Sequence, residues 1–274
     1  MKHILTYLVT ALLVASCVPP NILEVPPNLT TPITTPESSI SSNQVALVIG
    51  NSQYEYRPLP NPKHDAEAMA KVLRHKGFEV ILKKDLTHDG MEQAIAEFET
   101  RLATRKEVGL FYYAGHGVQI NQTNYLVPIN NEHIKNENDV QKGAIRLDDI
   151  LQGMETANDG LNIVVLDACR DNPFKDQTFT RSLKRGLART PVQESNLSAP
   201  APVNGILIAL ATSPGKTASD GLYTQHLVEA MQTPGLTVED VFKRVYKAVN
   251  KASNAQQSPW YNASLSGSYC FGGC

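Results

Sequence analysis

The sequence predicts an α/β fold, a mostly parallel sheet covered by helices on both faces, and three observations carry that expectation. Four apolar runs, at residues 45–50, 108–114, 161–168 and 205–212, are nearly continuous. A strand with one wet face alternates, whereas a strand buried on both faces reads as an unbroken run, which is the habit of parallel sheets. Segments of helical period alternate with these runs nearly throughout, as repeated strand–helix units require. Gly and Pro fall mainly between the segments, at Pro58, Pro60, Pro62, Gly77 and Gly160. With 274 residues, 42% hydrophobic and 19% charged, one large domain is expected. A net charge of −2 gives no footing for nucleic acid.

Taken in order, the domain opens at Val45 with a buried strand to Gly50 and a loop holding the three prolines. A helix is predicted from about Asp65 to His75, with Ala66, Met69, Ala70 and Leu73 on one face and Gly77 at the C-cap. Residues 78–82 form the next strand. Thr87 or Asp89 caps a helix whose stripe is Met91, Ile95, Phe98 and Leu102. A strand ending at His116 follows, then an alternating stretch, 118–129, with a hairpin at 121–124. Leu147, Ile150, Leu151 and Met154 mark a helix before the strand that ends at Cys169. The 205–212 strand leads to helices at about 224–232 and 237–252. Residues 264–271 alternate like a closing edge strand. No repeat of fixed period is visible.

The first 16 residues read as a signal peptide, with Lys2 and His3 ahead of an apolar core too short to span a membrane. The core stops at Val14-Ala-Ser-Cys17, which resembles a bacterial lipobox; the alternative is an ordinary signal peptide with a chance cysteine. The resemblance implies a lipidated Cys17 and an exported, lipid-anchored protein, on the periplasmic face of the outer membrane if the cell is Gram-negative. Residues 17–44, rich in Pro, Ser, Thr and Asn without apolar period, then form a tether that cannot bury a core.

Two strand ends carry the chemistry. Cys169 is the only cysteine in the interior of the domain, away from its carboxyl terminus, and a thiol becomes a nucleophile when a base or positive field raises its thiolate fraction. His116, 53 residues upstream, also ends a strand, and Gly115 and Gly117 flank it. Glycine lets backbone approach a substrate, and the Gly117 amide could donate to an oxyanion. Either residue alone reads as structural, a buried cysteine or a turn histidine; together they read as nucleophile and base.

Tyr113-Ala-Gly-His-Gly117 and Asp167-Ala-Cys-Arg170 at this spacing resemble the caspase-like cysteine peptidases, whose signature is Gln-Ala-Cys-x-Gly with a His about 50 residues upstream. Asp167 stands where that signature has Gln, which points to the metacaspase and paracaspase branch and to bacterial caspase-domain proteins. The likeness runs from Val45 to Phe271 and includes residues 46–51, 61–66, 77–80, Pro259-Trp260 and 264–267. It implies a caspase-like three-layer sandwich and a dyad without a third acidic member. Cys169 attacks the scissile carbonyl, His116 manages the leaving amine's proton, and the amides of Gly117 and Cys169 hold the oxyanion. It also implies an acidic substrate pocket built from Asp167, Asp220 and Asp65. Carboxylates in a partly desolvated pocket favour a cation and penalise an acid, so cleavage after Arg or Lys is expected, not after Asp. The basic connection after Arg170 then offers Arg181, Lys184, Arg185 and Arg189 as self-cleavage points.

Other signals are weaker. Gly215-Lys216-Thr217 resembles the end of a phosphate loop, but Leu210 stands where a Gly is required. Asp148 and Asp149 precede a helix body and read as a helix-dipole feature, and the Lys and Arg residues of 243–251 read as a solvated face. Cys270 and Cys274 lack nearby histidines for a metal site and could pair with each other in an oxidising compartment. Calcium activates some metacaspase relatives, yet no ligand set is readable here and no cofactor is required. The main rival reading is a silent caspase-fold module that binds peptides.

Overall fold

A computed structural model describes residues 43–105, 107–121, 123–169, 203–212 and 221–274, with Cys169 described by its backbone alone. Cys17, residues 17–42 of the tether, the candidate cleavage points Arg181, Lys184, Arg185 and Arg189, and Asp220 lie outside the described residues, and Gln44, expected to end the tether, already belongs to the first strand. Among the described residues no helix is long and apolar enough to cross a membrane.

The four apolar runs are strands of one sheet. Strands β1 (Gln44–Gly50), β2 (Glu79–Lys84), β3 (Val108–Ile120), β6 (Leu161–Cys169), β7 (Gly205–Leu210) and β8 (Trp260–Leu265) lie in the order β2-β1-β3-β6-β7-β8. All neighbours are parallel except β8, which runs antiparallel to β7. Side chains of successive residues leave opposite faces of a strand, so each run supplies two cores. On one face Ala46, Val48, Leu110, Tyr112, Ile163, Val165 and Leu207 meet α1 (Pro62–His75), α5 (Leu222–Met231) and α6 (Val238–Ala252). On the other, Leu47, Ile49, Phe111, Val164, Leu166 and Ile208 meet α2 (His88–Arg105) and α4 (Leu147–Ala157). Each fully buried large apolar side chain contributes about 2 kcal/mol. This is the three-layer sandwich the sequence predicts.

The differences from expectation are local. Helix α1 begins at Pro62, three residues before Asp65, because proline at the first helical position loses no needed N–H. In α2 the buried stripe takes Ala94, and Ile95 is only half-buried. Strand β3 does not stop at His116 but runs on to Ile120, where Asn121 (φ 47°) turns it into β4 (Thr123–Leu126). Between β4 and α4 stand α3 (Glu137–Gly143) and the two-residue β5 (Ile145–Arg146), too short to leave a periodic signal. Asp148 and Asp149 do occupy the first turn of α4, with the Arg146 guanidinium 3.8 and 3.5 Å away.

The closing edge strand is Trp260–Leu265, not 264–271. Trp260 and Tyr261 supply the β-forming residues, and Ser266-Gly267-Ser268 ends the strand. Beyond it Cys270 makes only an isolated bridge to Thr237, and a disulfide joins Cys270 to Cys274. That pairing holds Phe271 in the core beside Phe78 and Tyr269, while the Tyr269 carbonyl accepts from the Val238 N–H that opens α6. Closing so short a loop restricts the unfolded chain by about 2 kcal/mol.

Candidate active site

The chain passes from β1 to the outer strand β2 and returns to β3 on the other side of β1. Such a reversal opens a crevice at the carboxyl ends of the strands, where open α/β sheets hold their ligands. Here β1 ends at Gly50 and β6 at Cys169, while β3 passes between them with His116 level with Cys169. His116 and Cys169 are direct partners in the parallel register of β3 and β6, which sets their backbones about 4.8 Å apart. The Val127 N–H donates to the His116 carbonyl at 3.0 Å, making 116 and 127 a hydrogen-bonded pair. Alternation then makes Gly117 and Leu126 a non-bonded pair, so the Gly117 amide points away from β4 and toward the β6 side.

His116 is 3% exposed and is gripped by the loop after β1. Its backbone N–H donates to the Tyr54 hydroxyl at 2.8 Å, and the two rings meet at 4.4 Å. Tyr54 is tied in turn to the Tyr113 hydroxyl at 3.0 Å and to the Val127 carbonyl at 3.2 Å. The Nε2 of His116 lies 2.7 Å from the Arg57 carbonyl. A carbonyl only accepts, so Nε2 carries the proton, and in the neutral ring the lone pair is on Nδ1. Gly115 is required beside it, because any side chain there would run into the Tyr54 and Tyr113 hydroxyls.

The gripping loop is itself anchored from beneath. Asp85, at φ 52°, accepts from the backbone N–H groups of Ser52 (2.8 Å) and Gln53 (2.9 Å), and Lys63 pairs with it at 3.0 Å. Asn51, fully buried, accepts from the Leu86 N–H at 2.9 Å. Burial pushes the Asp85 carboxyl up, but the two amides and the Lys63 ammonium outweigh it and hold the group below its ordinary value. A carboxyl lowered by folding stabilises the fold above the ordinary carboxylate range and loses that contribution as pH falls through its lowered value. Asp85→Ala is therefore expected to cost about 2 kcal/mol near pH 7. The gap between wild type and variant should narrow below about pH 4, as read in denaturant midpoints across pH. A gap constant down to pH 2 would show that the carboxylate charge has no part in holding the loop.

Asp167 is 7% exposed and projects toward α5, where its Oδ2 accepts from the Thr224 hydroxyl at 2.7 Å. The Tyr112 hydroxyl lies 2.5 Å from the same Thr224 oxygen. Burial pushes the Tyr112 phenol well up, and the charges of Asp167 and then Asp65 push it further. Both carboxylates thus act on one buried phenol, which brings Asp65 on α1 and Asp167 on β6 into one neighbourhood. Tyr223 beside them is raised first by burial and then by Asp167. Gly221, the neighbour of Asp220 in the chain, starts α5 next to Asn61.

The sequence pointed to His116, Gly117, Cys169, Asp167 and Asp65, and the structure gathers them at one end of the sheet. It did not point to Tyr54, Arg57, Asp85, Tyr112 or Thr224. Arg57 acts through its carbonyl, which no residue type announces, and the others sit in segments where their neighbours look like ordinary loop or core. Among the described residues one trio, His88, Asp89 and Glu92, brings possible metal ligands within 4.8 Å of one another. It belongs to α2, on the face of the sheet opposite Asp167.

Comparison with known proteins bears on the family and the fold. Mucosa-associated lymphoid tissue lymphoma translocation protein 1 of Homo sapiens is 33% identical over 147 residues, 53% of this chain and 17% of that protein. Its Mus musculus homolog is 33% identical over 142 residues, 51% of this chain and 16% of that protein. The matched region thus spans less than a fifth of either relative. The crystal structure of the Drosophila initiator caspase Dronc superposes with a TM-score of 0.58 at 12% identity, covering 84% of this chain and 80% of that one. That likeness shows a shared fold. The family model of the caspase domain, peptidase family C14, matches residues 43–269. The chain belongs to the caspase domain family of peptidases.

Proposed function

We propose that this protein is a cysteine endopeptidase that cleaves peptide bonds after Arg or Lys with a dyad of His116 and Cys169. The observation that carries the reading is the register that pairs those two residues on adjacent parallel strands, where β6 ends. In this mechanism Nδ1 of His116 accepts the thiol proton and Cys169 attacks the carbonyl carbon. The π electrons move to oxygen, where the amides of Gly117 and Cys169 stabilise the negative charge. Collapse of the adduct breaks the C–N bond, and His116 returns its proton to the departing amine. Water then attacks the thioester, with His116 taking its proton, and the thiol is released. The Arg57 carbonyl assists throughout by fixing the tautomer that leaves Nδ1 to act as base.

The substrate preference follows from Asp167 and Asp65, to which the sequence resemblance adds Asp220. Two or three carboxylates in one crevice favour a guanidinium or ammonium group and oppose an acidic one. A panel of peptides differing only in the residue before the cut tests this. Hydrolysis after Arg and Lys is the expected result; hydrolysis after Asp alone, or of no member even after limited proteolysis or added calcium, overturns it.

The proposal extends to processing. Cys17 carries lipid and residues 17–44 tether the peptidase to the cell envelope, while Arg181, Lys184, Arg185 and Arg189 are cut by the enzyme itself. Support comes from the sequence: the Val14-Ala-Ser-Cys17 motif and the match between a basic connection and an acidic pocket. Intact-mass analysis of membrane-extracted protein reads both. Wild type should begin at a lipid-modified Cys17 and show fragments ending at those basic residues, and Cys169→Ala should keep the lipid but remain whole. An unclipped active enzyme rejects self-cleavage, and an unmodified Cys17 rejects the anchor.

A further inference from the structure

We propose that Thr224 and Tyr112 are positioning residues that fix the Asp167 carboxylate for a cationic substrate side chain, an inference that rests on the acidic-pocket reading above. The argument begins with proton counting. A threonine hydroxyl has one proton, and that of Thr224 goes to Oδ2 of Asp167 at 2.7 Å. The contact of 2.5 Å between Thr224 and Tyr112 must then be donated by the tyrosine. The result is a directed chain from β3 through α5 to β6, Tyr112 to Thr224 to Asp167. Tyr112 is fully buried and Thr224 is 1% exposed, so water cannot substitute for either link.

Each link has a physical task. The terminal torsion of an aspartate is broad and nearly two-fold, so an unheld carboxylate swings through many orientations. A guanidinium binds best when two parallel N–H groups meet a carboxylate plane already in place, and preorganisation removes an ordering cost from binding. Thr224 is well suited to hold the carboxylate. It is β-branched, which limits its rotamers, and it stands in the first turn of α5, where the helix dipole favours a negative charge. Tyr112 keeps its proton because burial and both carboxylates oppose its ionisation, so it remains a donor across the working range.

Thr224→Val removes the hydroxyl and keeps the shape. With an Arg peptide it is expected to raise KM about tenfold, the loss of one hydrogen bond to a charged group, with kcat within about twofold. Thr224→Ser should restore KM. Tyr112→Phe, which removes the outer donor only, should raise KM about threefold, so a poorly folded valine variant does not end the test. Asp167→Asn in the same panel separates the two readings. If it leaves the Arg peptide unaffected, the acidic pocket fails and the relay with it. If it abolishes the Arg preference while Thr224→Val and Tyr112→Phe keep wild-type KM, the relay alone is overturned. A valine variant that loses kcat and KM together without rescue by serine marks a packing role, which also overturns it.

Discussion

Cys169→Ala is expected to reduce peptide hydrolysis by about 10⁴-fold or more, because the other cysteines among the described residues, Cys270 and Cys274, are joined in a disulfide. His116→Ala should cost about 10²- to 10⁴-fold, and the double variant should be no slower than Cys169→Ala alone, since members of one catalytic unit are not additive. The structure explains why each partner can be removed cleanly. Cys169 closes a strand whose register is fixed by eight further pairs with β3, from Val108↔Leu161 to Gly115↔Ala168, so its backbone stays in place without the thiol. His116 is held by Tyr54 and Arg57 rather than holding them up, although losing its ring leaves space beside Tyr54. Melting curves should therefore change little for Cys169→Ala and somewhat more for His116→Ala. The measurement is steady-state hydrolysis of an Arg peptide with pre-steady-state trapping of the thioester. Retention of full activity by Cys169→Ala would remove the dyad from consideration.

How much of this was legible in the sequence depends on the kind of signal each residue leaves. The central strands were plain, because burial on both faces forces an unbroken apolar run, and the helices α2, α4 and α6 were plain because their stripes are long. The closing strand was misplaced by four residues. Alternation in 264–271 resembled a strand, but the pairing with β7 went to 260–265, and Phe271 went into the helical side of the core instead. For the site, His116 and Cys169 stood out because glycines and an apolar strand frame them. Their supporting groups did not. Tyr54 and Asp85 are brought to the site by β1 and β2 lying side by side, and Thr224 reaches Asp167 from 57 residues away. Such contacts depend on topology, which periodicity does not encode.

Asp167→Asn is expected to give the largest change in specificity while leaving the nucleophile intact. The substitution keeps shape and volume, removes one negative charge, and leaves an amide that can still accept from Thr224. A buried charge pair truncated on one side loses about 2–5 kcal/mol, which is roughly 30- to several thousandfold in kcat/KM. Because Asp65 remains nearby, the lower part of that range is expected for Arg peptides, with peptides bearing a neutral residue before the cut changed by less than about threefold. Asp65→Asn should give a smaller loss, since Asp65 is only half-buried on α1 and solvent screens its field. The double variant should lose more than either single one, because each carboxylate left alone still attracts the cation. Salt provides an independent reading. If attraction between a cation and the crevice governs selection, raising ionic strength should lower kcat/KM for Arg peptides while neutral peptides stay level. Equal losses for Arg and neutral peptides on Asp167→Asn would show instead that the carboxylate supports the end of β6 and takes no part in choosing the substrate.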